Sequence, residues 1–487
     1  MASVKKNYLY SVFYQLLSII VPIITSPYLS RVLGATTLGT YAFTNSIAYY
    51  FFLVSMLGMA NYGSRSIAQS RHDGKQMDKT FNELFEMQLS WGAIVLLAYL
   101  LFIACLYIIK DDNFVLYAVW VGYVASGVLD ISWYFWGIED FKITVIRNTV
   151  IKLITTIGIF IFVKQEQDLP VLVLLIAGGS LFAQIILWFS IKDKIHFEKV
   201  SLDVIGHHLK ANFKLFIPVL AVSVYTIMDK VMLGILSPYD QVGKYDNSQK
   251  ILTIPTGLIT ALGAVMLPRM ASLLSTGKRE KAMRYLGISM QFSCFFSIAF
   301  AFGLAAIAPV FAPVYWGSEF IECSMLIALF SITVPFISWA NVIRTQFLIP
   351  YSLDTIYIIS VVVGACVNVI VNALLIPILS AVGAVIGTIC SEVIVALIQT
   401  ICVRKQLPVF KYFKTNVIYC IPGVIMFLLV RQIGWYFGNT VFSLVICILM
   451  GVVVYIGMAT PMLIKSKTDL SSSMVNYLKK YLPNRGC

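Results

Sequence analysis

Apolar stretches of about 20 residues alternate with short polar segments along nearly the whole chain. That length matches an α-helix, rising 1.5 Å per residue, that crosses a hydrocarbon layer of about 30 Å. The pattern predicts helices over 9–29, 40–60, 84–109, 114–135, 143–163, 170–191 and 212–235, then over 250–271, 287–309, 322–348, 355–376, 382–403, 413–431 and 440–464. The last clear split falls at 349–354, where Pro350 separates two apolar runs. The expected fold is an all-α polytopic membrane protein with about fourteen transmembrane helices.

Basic residues orient these spans. Lys and Arg crowd one set of alternate connections: Arg65, Arg71, Lys75 and Lys79; Lys192, Lys194, Lys199 and Lys210; Lys278, Arg279, Lys281 and Arg284; Arg404, Lys405, Lys411 and Lys414; and the tail with Lys467, Lys479, Lys480 and Arg485. The opposite connections hold scattered cations such as Arg31, Lys110, Lys164, Lys244, Lys250 and Arg431. Cytoplasmic loops carry the excess of Lys and Arg, so both termini are expected in the cytoplasm. Lys5 and Lys6 precede an apolar stretch too long for a signal-peptide core, so the first span is expected to be retained. Between spans six and seven, Leu202, Ile205, Leu209 and Phe213 recur at helical spacing with His207, His208 and Lys210 between them, the pattern of an interfacial amphipathic helix.

Composition narrows the class. Of 487 residues 59% are hydrophobic and 12% charged, and the mean hydropathy is +0.86. A soluble domain carries about 25% charge. No connection exceeds about 25 residues, and no Gly-x4-Gly-Lys-Ser/Thr loop occurs, so no soluble catalytic or ATPase domain is expected and the chain does not read as an enzyme. The net charge of +13 fits positive-inside bias and attraction to membrane lipids, with an anionic substrate as the sharper reading. No basic run with interleaved aromatics points to nucleic acid. The nine cysteines form no Cys-x-x-Cys pair and the four histidines fall in polar connections, so neither a metal site nor a cofactor is expected.

A short pattern recurs. Arg31-Val32-Leu33-Gly34 and Leu38-Gly39-Thr40-Tyr41 follow the first span; Lys230-Val231-Met232-Leu233-Gly234 and Val242-Gly243-Lys244-Tyr245 follow the seventh. Six spans separate the copies, an even number, so two halves would be related by an axis along the membrane normal with a cavity between them. The expected organisation is a six-helix lobe over 1–200, a second over 201–405, and two extra helices with a cytoplasmic tail over 406–487.

A charge within a span costs roughly 2.5–3.5 kcal/mol on insertion scales unless a wet cavity or a partner receives it. The candidates are Asp130, Arg147, Lys152, Lys214, Asp229, Lys230, Arg269, Arg344 and Glu392, with Arg31 at the end of the first span. Lys214, Arg269 and Arg344 lie near span ends and can also snorkel to the interface. Cations outnumber acids at depth. A cationic cavity formed by Arg31, Arg147, Lys152, Lys230, Arg269 and Arg344 would suit a phosphate-bearing cargo, because arginine grips oxyanions bidentately and lysine acts as a point charge. Asp229 and Glu392 are candidates for coupling transport to H+ or Na+. Pro22, Pro27, Pro218, Pro255, Pro335 and Pro377 mark places where helices can bend to open a cavity to each side in turn. Aromatic clusters such as Trp133-Tyr134-Phe135-Trp136 read as interfacial belts.

Several of these runs carry a resemblance. Pro27-Tyr28-Leu29-Ser30-Arg31-Val32-Leu33-Gly34, Gly39-Thr40-Tyr41 and Gly58-Met59-Ala60-Asn61-Tyr62-Gly63-Ser64-Arg65 resemble the opening of Wzx-type polysaccharide flippases. Gly243-Lys244-Tyr245, the segment 341–350 and Gly383-Ala384-Val385-Ile386-Gly387 are similar to later parts of that family. The resemblance implies the multidrug/oligosaccharidyl-lipid/polysaccharide exporter fold, with two six-helix lobes in a V around a cationic lumen. It implies a bacterial cytoplasmic-membrane protein whose cargo is an undecaprenyl-pyrophosphate-linked oligosaccharide, moved to the outer leaflet for capsule, O-antigen or exopolysaccharide synthesis beside a polysaccharide polymerase. A cation-coupled multidrug exporter and a lipid II flippase share that fold and stand as alternatives.

Overall fold

A computed structural model describes residues 4–192, 195–198 and 200–465. Lys194, Lys199 and the tail cations lie outside the described residues. Every regular element among them is helical, as expected. The chain divides into two compact units, Met1–Gly243 and Lys244–Cys487.

The first unit opens with α1 (Val4–Met56), which passes through both Pro22 and Pro27. Its one break in helical backbone is at Gly34, with φ 71° and ψ 175°. A side chain there would meet the steric penalty of the left-handed region, so glycine ends one crossing and starts the next without a loop. The prolines mark no break: the turn read after Arg31 falls on the glycine.

After α2 (Met59–Ser70), Asp73 caps α3 (Gly74–Ile108), its carboxylate accepting from the Lys75 amide at 3.0 Å and the Gln76 amide at 3.4 Å. The cap extends α3 about ten residues beyond the apolar run that predicted it. On α3, Ile94, Leu97 and Leu101 form an exposed apolar stripe, the surface that a bilayer covers.

The span predicted over 114–135 is two helices, α4 (Phe114–Val128) and α5 (Ser132–Gly137). A break at membrane depth leaves carbonyls without helical partners, each costly in hydrocarbon. Gln88 resolves most of it: its amide nitrogen donates to the carbonyls of Gly127 (3.0 Å), Val128 (3.2 Å) and Asp130 (2.9 Å), while its oxygen accepts from the Trp133 indole at 2.9 Å. Trp188 donates to the Leu129 carbonyl at 3.0 Å. Trp133, Tyr134 and Phe135 are buried against Phe81, Leu84 and Leu187, so this aromatic run is core here and not an interfacial belt.

The unit continues through α6 (Phe141–Phe162), α7 (Leu169–Ile191) and α8 (Leu202–Leu236). The amphipathic connector read over 201–213 is helical, but it is the first third of α8 and not a separate element. His208 ties it to the unit: one ring nitrogen lies 2.7 Å from the Tyr62 hydroxyl and the other 3.2 Å from the Glu83 carboxylate.

Helix α9 (Tyr239–Ile251) crosses the boundary between the units. The second unit then contains α10 (Thr253–Ser275), α11 (Arg279–Trp316), α12 (Cys323–Ser331) and α13 (Thr333–Ile343). Pro255 and Pro335 sit in the first turns of α10 and α13, where a missing N–H leaves no helical bond unmade. A π-helical turn, Arg344–Leu348, ends the α12–α13 stretch, and Pro350 follows in the predicted split before α14 (Asp354–Leu379). Ser380 (φ 48°) turns the chain into α15 (Ala381–Val403). A short α16 (Val409–Asn416) leads to α17 (Cys420–Phe437) and α18 (Val441–Lys465). The core of this unit gathers Met270, Leu286, Met290, Ile343, Phe347, Tyr419 and Tyr455.

Among the described residues, eleven helical stretches are long and apolar enough to cross a membrane. Two of them, Phe13–Ser70 with 58 residues and Asp354–Val403 with 50, have the length of two crossings each.

Candidate functional site

In the first unit the candidate charges have different environments. Arg147 on α6 is buried at 7% exposure. It donates to the Asn148 side-chain oxygen (3.0 and 2.7 Å), the Gln184 side-chain oxygen (3.0 Å), the Ala183 carbonyl (3.2 Å) and the Ser132 hydroxyl (3.4 Å). Asp130 lies in the α4–α5 break and accepts from the Ser132 amide at 2.7 Å. Ser132 thus links the carboxylate to the guanidinium. This arrangement secures the break and engages most of Arg147's donors.

Lys152 is about one and a half turns further along α6. It is half-buried and stands 5.7 Å from the ring centroid of Tyr14 on α1. Among the described residues its ammonium has no hydrogen bond or ion pair. A cation over an aromatic face gains about 0.5–2 kcal/mol, which does not cancel the cost of a charge at depth.

Asp229 and Lys230 are neighbours on α8. Asp229 is fully buried, within Coulombic range of Tyr50, and Lys230 is half-buried, within range of Tyr49. Arg31 is exposed on α1, three residues before the Gly34 break.

The two copies of the repeated pattern meet within this unit. A Cβ on Gly39 would lie 1.6 Å from the Tyr239 carbonyl oxygen, and one on Gly243 would lie 2.2 Å from the Ala35 carbonyl oxygen. Each copy's Gly-x-Tyr glycine therefore receives the other copy's backbone. Only glycine permits an approach this close.

In the second unit Arg344 opens the π-helical turn, its carbonyl accepting from the Ile349 amide at 3.0 Å. Its half-buried side chain stands 5.3 Å from the ring centroid of Tyr357 on α14, and among the described residues it makes no hydrogen bond or ion pair. Two positions on, Gln346 is fully buried and neither polar atom of its amide has a hydrogen-bond partner among the described residues. π-Turns with buried polar groups often accompany functional sites.

Arg269 on α10 is exposed and lies 5.7 Å from the ring centroid of Tyr285. Helix α10 packs against the stretch that carries Arg344, since a Cβ on Gly263 would meet the side chains of Asn341 (2.7 Å) and Thr345 (3.1 Å). Glu392 is buried on α15 at 8% exposure.

Four of the candidate cations fall into three kinds. Arg147 is held by its own unit. Lys152, midway along α6, and Arg344, near the end of its span, have aromatic neighbours and no acidic partner among the described residues. Arg269 is an exposed cation beside an aromatic ring. Sequence reasoning missed Gln88, Ser132, Gln184, Tyr14 and Tyr357, because neutral and aromatic residues carry no depth penalty that would single them out.

The comparisons with known proteins agree with this architecture. The sequence pattern of the family described as "Polysaccharide biosynthesis protein" matches residues 4–274, and that of the family described as "Lipid II flippase MurJ" matches 144–454. The chain is 23% identical over 402 residues to a Shigella dysenteriae protein named "Putative O-antigen transporter", covering 81% of this chain and 98% of that one. An Escherichia coli (strain K12) protein of the same name is 21% identical over 411 residues, covering 83% and 97%. The solved structure "Lipid II flippase MurJ, inward closed conformation" superposes with a TM-score of 0.72 at 17% identity, covering 93% of this chain and 98% of that one. The fold is therefore that of the lipid II flippase structure. Since the first of these patterns covers more than half of the sequence, the chain belongs to the polysaccharide biosynthesis protein family.

Proposed function

We propose that this membrane protein is a flippase. It moves an undecaprenyl-pyrophosphate-linked oligosaccharide repeat unit from the inner to the outer leaflet of the bacterial cytoplasmic membrane by alternating access, for O-antigen, capsule or exopolysaccharide synthesis. Family membership and two relatives named as O-antigen transporters over nearly their full lengths support the cargo class. The observation that carries the chemistry is two cations without an acidic partner among the described residues: Lys152, midway along α6, and Arg344, near the end of its span. A charge kept at a cost of a few kcal/mol, with no acidic partner among the described residues, serves a ligand that arrives from outside the chain. A diphosphate supplies that ligand's charge, and each of the two cations meets it during passage.

Arg31, Lys230 and Arg269 are further candidate cations for the cargo; Arg147 contributes by holding the α4–α5 break in place. Asp229 and Glu392 are the candidates for H+ or Na+ coupling. Fourteen crossings in two six-helix lobes (1–200 and 201–405) plus two C-terminal helices, with both termini cytoplasmic, complete the reading. A polysaccharide polymerase would take the delivered unit.

Deletion of the gene tests the proposal. Lipid-linked repeat units should accumulate on the cytoplasmic side and surface polysaccharide should fall; unchanged polysaccharide in a strain without a second flippase refutes it. A lipid II flippase is the second reading, favoured by the match over 144–454, but that match leaves out the residues that carry the Arg31–Gly34 motif. A multidrug exporter of cations would place an acid, not Lys152, at depth.

A further inference from the structure

We propose that the second unit carries a separate binding site for an anionic glycerophospholipid of the bilayer. An apolar cavity of about 910 Å³ lies among α11, α12–α13, α15, α16 and α17. Ligand pockets span roughly 300–1,000 Å³, so this one has room for an acyl chain. Its wall follows α11 from Cys294 to Ala305, about 16 Å at 1.5 Å per residue. Trp339 and Thr400 also line it, and the indole donates to the threonine hydroxyl at 2.8 Å, so two polar groups of the wall satisfy each other and leave it apolar.

The rim identifies the environment. Leu397, Phe410 and Phe413 line the cavity yet are 50%, 79% and 59% exposed, so it opens toward hydrocarbon.

A helix that lines the cavity also carries charge. On α16, Phe410 and Phe413 line the cavity, Val417 continues the lining just after the helix, and Lys411 and Lys414 are exposed on the same helix. Arg404 and Lys405 stand just before this helix. Like charges three residues apart repel each other on a helix, and an anion between them removes the repulsion. Asn416, at the end of the same helix, lines the cavity, is 4% exposed, and its side-chain oxygen has no hydrogen-bond partner among the described residues. An apolar slot, a lysine pair and a lone amide oxygen match an acyl chain, a headgroup phosphate and a headgroup hydroxyl.

None of Arg269, Arg344 and Glu392 lines this cavity, so the residues offered for the cargo's diphosphate and for ion coupling are not part of it; the charge nearby is the α16 lysine pair, which suits the headgroup of a bilayer lipid. The inference therefore stands apart from the flippase reading.

The test is lipid extraction from purified full-length protein, paired with melting curves in phosphatidylglycerol and in phosphatidylcholine. The wild type should retain an acidic phospholipid through purification and melt higher with phosphatidylglycerol than with phosphatidylcholine. K411E/K414E should lose the retained lipid about tenfold and lose the melting difference, and Ala305→Trp should exclude the chain. Reversal at Lys278 and Lys281, which lie off the cavity, should change neither. If charge reversal prevents folding, K411Q/K414Q gives the same comparison. Equal retention in the lysine variants, an equal response to both lipids, or recovery of a polyprenyl phosphate in place of a glycerophospholipid overturns the proposal.

Discussion

Replacing Arg344 with alanine separates a cargo-binding cation from a structural one. A structural arginine holds neighbours, and its loss destabilises the protein. The Arg344 guanidinium stands over the Tyr357 ring and makes no hydrogen bond or ion pair among the described residues. Losing that contact costs about 0.5–2 kcal/mol. Arg344 is half-buried near the end of its span, so removing it returns only part of the roughly 2.5–3.5 kcal/mol that a charge costs at a helix centre. The net change in stability should be near zero. The effect on transport should be large: a charge-assisted hydrogen bond is worth about 1.5–3 kcal/mol, a factor of about 10 to 150 in cargo affinity. Arg344→Lys keeps the charge without the bidentate fork and should fall between. The assay pairs accumulation of lipid-linked repeat units in a complemented deletion strain with melting of the detergent-solubilised protein. R344A that transports normally, or that melts several degrees lower, refutes the reasoning.

Three further substitutions test the surrounding structure. Arg147→Leu strips the donors from Asn148, Gln184 and Ser132 and leaves Asp130 without its linked cation; it should destabilise by about 3 kcal/mol or more, read as a lower melting temperature and reduced membrane abundance. Gln88→Leu uncovers carbonyls in the α4–α5 break and should cost about 2 kcal/mol in the same measurement. Gly243→Ala puts a methyl 2.2 Å from the Ala35 carbonyl oxygen, so α1 must move; about 1–3 kcal/mol of overpacking should appear in melting.

Hydrophobic runs revealed nearly every helix because a bilayer demands the same thing of each crossing: an apolar surface and internally satisfied backbone. Boundaries were legible only where the demand changed. The α3 start at Gly74 depends on the Asp73 cap, which lies outside the apolar run. The break at 129–131 lies inside one; it persists because Gln88, far away in sequence, supplies the missing donor. The turn at Gly34 was visible as a glycine motif, and Gly243 as the later copy's counterpart of Gly39, but the close approach of Gly39 and Gly243 needed coordinates. Depth picked out the candidate charges without sorting them. Arg147 and Lys152 lie five residues apart on α6, and only neutral neighbours from other helices make one a support and the other a cation without an acidic partner.

Translocation by the purified protein in vesicles is the most direct measurement. A polyprenyl-diphosphate oligosaccharide is supplied on one leaflet, and its appearance on the other is read with a lectin that does not cross the membrane. The account predicts transfer by the wild type, and a loss of at least tenfold in the Lys152→Ala/Arg344→Ala double variant with unchanged reconstitution. Transfer at the wild-type rate by that double variant would contradict it.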